Sequence, residues 1–412
     1  MLPHSNCPPD GAGSVAKSGR LPFAVCRRRE ASHHRQTRQP LRSGIRCVSL
    51  KHPMAEAVLF ALLLFPRAGT TQSTAADPQL ATDFLTDAAA GLKTLQNWYV
   101  RETGLWRTTG WWNAANSVTV LVRYSKLSGS WEFRPAIANT FKRNSRGRFL
   151  NEFYDDEGWW ALAWASAYEW SRDARYLEMA EQIFADMTTG WDDTCGGGIW
   201  WKKDRHYKNA IANELFLDVA ATLANLVHGG HRRAVYSEWA QREWQWFAAS
   251  GMLNPQNLVN DGLDSTCRNN HRTTWTYNQG VILGGLSMLA KQTGDAKLLE
   301  RAQSIALAAI SRLTDQHGIL HDTCEPNCGA DGVQFKGIFA RNLAVLNSAA
   351  SDVRFRIFLQ TNAEEIWRNG DPNHRFGVLW SGPSDLKNAA TQVSALDALL
   401  AAAESTGATA RR

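Results

Sequence analysis

The sequence predicts an all-α fold, an (α/α)6 barrel of six helical hairpins closed into a toroid. Three observations carry that expectation. From residue 77 onward apolar residues recur at spacings of three and four, as at Leu215, Val219, Leu223 and Leu226 and again at Leu298, Ala302, Ile305 and Ala309, which is the period of a helix facing a core. No sustained period-two run competes with it. The segments also alternate in character. Every second one opens on polar or aromatic groups and continues small and apolar, whereas those between carry a charged stripe, as at Arg232, Glu238, Arg242 and Glu243. A helix apolar nearly all round is buried and one with a charged stripe faces water, so the alternation reads as inner and outer helices.

Twelve segments follow from this pattern: 80–100, 112–127, 132–144, 157–171, 174–188, 208–227, 231–249, 276–292, 295–313, 335–349, 352–368 and 388–405. The hairpins are not similar to one another in sequence, which favours a closed toroid over an open repeat array. Long polar connectors precede four inner helices, at 190–207, 251–276, 314–334 and 369–387. Loops of that length in a compact domain are usually functional, and these fall at the barrel end where the inner helices begin. Nothing marks a second catalytic domain within 77–412.

Charge separates the N-terminus from the rest. The chain carries +6 overall, but residues 1–53 hold ten Lys and Arg against Asp10 and Glu30, leaving −2 for residues 54–412. The basic character belongs to a tail rich in Pro, Ser, Arg and His without apolar period, expected to be disordered and to be an artefactual extension ahead of a true start at Met54; no nucleic-acid partner is expected. Residues 54–76 begin at Met54 and hold the short apolar run to Phe65. That run is too short for a bilayer span and fits a secretory leader, so the mature protein is expected outside the cell. The C-terminal stretch Ala401–Arg412 has no apolar tail, hence no stable membrane anchor is expected, and a monomer is. Of seven cysteines, Cys7, Cys26 and Cys47 lie in the tail. The remaining four, Cys195, Cys267, Cys324 and Cys328, suggest two disulfides in an exported domain. Three pairings are open; one closes the short Cys324–Cys328 loop and leaves Cys195 with Cys267. Neither the cysteines nor His206, His271, His317 and His321 have metal-ligand spacing, and no metal or cofactor is expected.

The chemistry points to the stretch Asn151-Glu152-Phe153-Tyr154-Asp155-Asp156-Glu157-Gly158-Trp159-Trp160. Adjacent carboxylates repel and are costly to desolvate. Asp155 or Asp156 could cap a helix, but the chain has 18 Trp, sugar rings stack on aromatic faces, and glycoside hydrolysis needs two carboxyl groups close together. Further candidates for binding sugar hydroxyls stand at inner-helix starts: Asn113, Asn116, Asn213, Glu214, Asn278, Gln279 and Lys336. Capping and buried hydrogen bonding are competing readings for each polar one. Aromatic platform candidates are Trp111, Trp112, Trp159, Trp160, Trp200, Trp201, Trp275 and Tyr277, of which about half are expected in the core.

Together with the blocks Gly190-Trp191-Asp192, Cys195-Gly196-Gly197-Gly198-Ile199-Trp200-Trp201, Tyr207-Lys208-Asn209-Ala210-Ile211-Ala212-Asn213-Glu214-Leu215, Thr274-Trp275-Thr276-Tyr277-Asn278-Gln279-Gly280 and Phe335-Lys336-Gly337-Ile338-Phe339, the Asp-Asp-Glu-Gly-Trp-Trp motif resembles glycoside hydrolase family 76, over residues 80–405. The resemblance implies the same barrel, an endo-α-1,6-mannanase activity on mannan, and a retaining mechanism with Asp155 as nucleophile and Asp156 as general acid/base. Transglycosylation of cell-wall or anchor glycan, an inactive carbohydrate-binding relative, and an epimerase or unsaturated-uronide hydrolase on the same toroid are the alternatives.

Overall fold

The computed structural model describes residues 78–383 and 386–407. The basic extension, the leader and Cys7, Cys26 and Cys47 lie outside the described residues. Twelve helices follow in chain order: α1 (Pro78–Leu95), α2 (Trp111–Ser128), α3 (Arg134–Asn144), α4 (Tyr154–Ser171), α5 (Ala174–Met187), α6 (Ala210–Leu226), α7 (Gly230–Ala249), α8 (Thr276–Thr293), α9 (Ala296–Arg312), α10 (Phe335–Ala349), α11 (Val353–Arg368) and α12 (Ala389–Ser405). The even-numbered helices pack in the order α2–α4–α6–α8–α10–α12, and α12 packs back on α2, so the ring closes. Odd-numbered helices lie outside it, as with α5 on α4, α7 on α6, α9 on α8 and α11 on α12.

Burial follows the composition. In α12 every residue from Ala389 to Ala403 is buried. In α9 the buried set is Leu298, Ala302, Ile305, Ala306 and Ala309, the one-sided stripe of an outer helix. At the end of the barrel away from the long loops, sharp turns connect inner to outer helices. Gly129 and Gly294 end α2 and α8 in the left-handed conformation that glycine adopts without penalty, and Asp173, Asp295 and Asp352 cap the helices that follow.

Two local differences from the sequence expectation matter. The first helix stops at Leu95, and residues beyond it form a hairpin of β1 (Tyr99–Val100) and β2 (Leu105–Trp106). The turn needs Gly104, at φ 74°, where a Cβ would stand 2.9 Å from Thr140 Cα. More important, α4 starts at Tyr154 rather than at 157. Its N-cap, Phe153, has no capping side chain. The end is instead held by the neighbouring loop, with Tyr154 N donating to Trp201 O at 2.9 Å and an antiparallel bridge between Phe153 and Lys202. Asp155 and Asp156 therefore lie inside the first turn, and the capping reading for them falls.

The cleft loops are braced. Disulfides join Cys195 to Cys267, linking loops 72 residues apart, and Cys324 to Cys328. The Gly196–Gly198 run admits the Trp246 ring: a Cβ on Gly198, at φ 79°, would meet it at 2.3 Å. Beneath that run the buried Lys208 ammonium donates to the carbonyls of Thr194, Gly197 and Gly198 and pairs with Asp192 at 3.0 Å.

Candidate active site

The first turn of α4 presents two carboxyl groups at the barrel end bearing the long loops. Asp155 Oδ2 accepts a hydrogen bond from Trp201 Nε1 at 3.0 Å. Asp156 Oδ2 accepts one from Asn151 Nδ2 at 2.5 Å. Both residues keep some contact with solvent, yet protein surrounds their carboxyl groups on nearly every side. Burial, and then the neighbouring Asp156 charge, hold Asp155 well above the ordinary aspartate range; the N–H groups of Trp201 and of its own helix turn oppose this. Burial pushes Asp156 up to about 7, Asn151 opposes, and the Asp331 carboxylate adds to the rise. Two such groups side by side titrate as a pair.

Support for this turn comes from residues that sequence reasoning did not single out for the role. Asn151 Oδ1 accepts from Phe153 N at 2.8 Å, fixing the side chain that reaches Asp156. Its backbone N–H donates to Glu157 Oε1 at 3.3 Å. Glu157 is fully buried and pairs with Lys203 Nζ at 2.7 Å. An Asn two residues before an extended aromatic is a recognised Asx-turn signal, so Asn151 was findable; Lys203, from a distant loop, carried none.

The predicted binding residues divide. Trp112 is half-buried at the cleft, donates from Nε1 to Asp331 Oδ1 at 2.8 Å, and stacks on Trp159 with ring centres 5.6 Å apart. Tyr277 stacks on Phe335 at 3.8 Å. Burial raises the Tyr277 phenol far above its usual range, with Asp261, Asp155, Glu214 and Asp331 all adding to the rise, so these acids share one region. Glu214 and Asn278 are fully buried, and none of their side-chain polar atoms has a hydrogen-bond partner among the described residues. Asn116 donates to Trp112 O at 3.3 Å while its Oδ1 is equally unpartnered.

The remainder serve the frame. Trp159 and Trp160 are core side chains; Trp160 packs among Trp111, Phe149 and Trp164. Asn213 accepts from Ile199 N at 2.7 Å and donates to Ile199 O and Asn209 O. Gln279 does the same to Val259 N and O, at 2.7 and 2.8 Å. Both amides clip a cleft loop to an inner helix, and their polar atoms are occupied. Asn113 bridges Gly110 N and Gln334 Oε1. Lys336 is buried, paired with Glu325 at 2.6 Å, bonded to Val378 O, and under the Trp380 ring.

The comparisons with known proteins agree with this architecture. A family model described as Glycosyl hydrolase family 76 matches residues 81–411. Mannan endo-1,6-alpha-mannosidase DFG5 of Candida albicans is 28% identical over 285 residues, covering 62% of each chain. Mannan endo-1,6-alpha-mannosidase DCW1 of Saccharomyces cerevisiae is 29% identical over 272 residues, covering 60% of this chain and 59% of that one. The chain thus spans about three fifths of the length of these relatives. The solved structure of the GH76A alpha-1,6-mannanase from Salegentibacter sp. HEL1_6 superposes with a TM-score of 0.71 at 25% identity, over 78% of this chain and 99% of that one. With its closed ring of six inner helices, its adjacent aspartates and a family match over four fifths of its length, this chain belongs to glycosyl hydrolase family 76.

Proposed function

We propose that this chain is a secreted, endo-acting hydrolase of α-1,6-mannosidic linkages in mannan that retains configuration through a covalent glycosyl-enzyme. The observation that carries the reading is the adjacent pair Asp155 and Asp156, each with one carboxylate oxygen held by a side-chain N–H donor and each raised in pKa. The relatives named mannan endo-1,6-alpha-mannosidase, and the solved alpha-1,6-mannanase, support the substrate class.

Two like charges so placed share one proton near neutrality. The order of roles follows the family resemblance, with Asp155 as the ionised nucleophile; the Trp201 indole N–H, which donates to its Oδ2 at 3.0 Å, favours that anion against the burial that opposes it. Asp331 discourages a second anion at Asp156. The Asp155 carboxylate then attacks the anomeric carbon while Asp156 gives its proton to the departing glycosidic oxygen. In the second step ionised Asp156 takes a proton from water, which attacks the same carbon and breaks the bond to Asp155. Two inversions restore the α configuration. Trp112 and Tyr277 offer ring faces to the sugars.

Asp155→Asn and Asp156→Asn should each lower kcat on linear α-1,6-mannan by on the order of 100-fold or more with unchanged melting temperature. Retention of more than about a tenth of wild-type kcat by either variant would remove that residue from the chemistry. Export rests on the leader-like residues 54–76 and on the two disulfides, which suit an oxidising compartment. N-terminal sequencing of the protein from culture medium should start after residue 76; a start upstream of Met54 would overturn that leader assignment.

A further inference from the structure

Beside the catalytic cleft, between the loops of residues 188–209 and 250–275, lies a groove of about 520 Å³. The proposed mechanism leaves it without a task. Its lining is cationic in a region whose overall charge is −2 once the N-terminal tail is set aside. Arg205 and Arg272 line it with His206 beside them. Arg205 is steadied by a bond from Nη2 to Thr189 O at 3.0 Å and a long 3.5 Å contact with Asp192. The Arg272 guanidinium and the His206 ring have no hydrogen-bond partner among the described residues. Asp264 is the acid on the lining, and its Oδ1 is turned into its own loop, accepting from Thr266 N, Thr266 Oγ1 and Arg268 N.

The groove is rigid and close to the reacting pair. The Cys195–Cys267 bond joins its two walls. Cys195, Arg205, Cys267 and His271 all hold positive φ, from 53° to 62°. Each such non-glycine residue costs about 1 kcal/mol or more, and such strain persists only where surrounding structure imposes it. Tyr207 forms the boundary with the cleft. Its hydroxyl donates to Asp261 Oδ2 at 2.5 Å and accepts from Asn270 Nδ2 at 2.9 Å. Its ring meets Trp201 edge-on at 6.2 Å, and Trp201 is the donor to Asp155. Two aromatic rings, Tyr207 and Trp201, therefore stand between the groove and the proposed nucleophile.

We propose that this groove is an accessory subsite for an oxyanion carried by the glycan, a phosphate or a carboxylate, gripped by the guanidinium forks of Arg205 and Arg272. Guanidinium suits planar, bidentate capture of such groups. The inference rests on the glycan-binding reading above, and the test separates the two. Isothermal titration of the Asp155→Asn variant should compare neutral α-1,6-mannotetraose with one bearing a terminal phosphate and one ending in a uronate. At low salt the anionic ligands should bind about tenfold tighter than the neutral one, with the gain shrinking as salt rises. The larger gain names phosphate or carboxylate as the source. Arg205→Gln with Arg272→Gln should erase the gain and leave neutral affinity within about twofold. Equal binding of neutral and anionic ligands, or an equal loss for both in the double variant, would overturn the subsite. Failure of the wild type to cleave neutral mannan would instead overturn the hydrolase reading. In that event titration with inorganic phosphate, followed at the arginine Nε–H resonances of the full chain, still decides: shifts confined to Arg205 and Arg272 support the subsite, and their absence refutes it.

Discussion

Asn151 shows how much of the proposed chemistry depends on one neutral side chain. Its amide donates to Asp156 while its carbonyl oxygen is held by Phe153 N and its own N–H by Glu157. A donor to a carboxylate favours the anion, so Asn151 pulls down a pKa that burial and Asp331 push up to about 7. The sign of the pH dependence follows. Asp156 must be protonated to act as acid, so kcat/KM on mannan should fall about tenfold per pH unit above about 7. Asn151→Ala removes the opposing donor, and the alkaline limb should move to higher pH. The same change leaves the Asp156 carboxylate unheld for the second step, so loss of its positioning should make kcat and KM fall together on an activated aryl mannoside. An unshifted limb, read from the kcat/KM profile, would rule Asn151 out as the group that positions and tunes Asp156.

At the scale of elements, the cleft is built by loops clipped onto inner helices. Helical periodicity located α6 and α8, and the polar residues at their starts were visible, but their partners were not. Asn213 and Gln279 read as sugar ligands because a buried amide at a cleft has the same appearance in sequence whether it faces a hydroxyl or a loop backbone; Ile199 and Val259, the partners, lie 14 and 20 residues away. The start of α4 was illegible for a related reason: loop 201–203 closes it, not a local capping residue. Glu214 and Asn278 differ from the clipped amides in having no partner for their side-chain polar atoms among the described residues. The loops also depend on covalent bracing. By loop-closure entropy, the Cys195–Cys267 bond, with its separation of 72, should contribute about 4 kcal/mol, and the Cys324–Cys328 bond, with a separation of 4, roughly 2. Chemical denaturation of the paired serine variants should show that order; equal losses would mean that strain or residual structure outweighs loop length.

For the whole molecule, the alternation of buried and charged helices contained the toroid, because a ring of inner helices must be apolar all round while the outer layer needs one apolar face only. The closing contact of α12 on α2 joins segments nearly 280 residues apart through pairs such as Arg123 with Asp397, a pairing with no local sequence signal. The ring matters to function because every inner helix starts at the same end, so Asp155, Asp156, Trp112, Tyr277 and Asp331 converge although they come from different hairpins. The central claim is that the adjacent aspartates work in two successive displacements at one anomeric carbon, from opposite faces of the sugar. Proton NMR of α-1,6-mannotetraose hydrolysis, recorded before mutarotation intervenes, tests it most directly. The account predicts that the α anomer of the new reducing end appears first and relaxes to the equilibrium mixture; first appearance of the β anomer would mean single displacement by water and would contradict it.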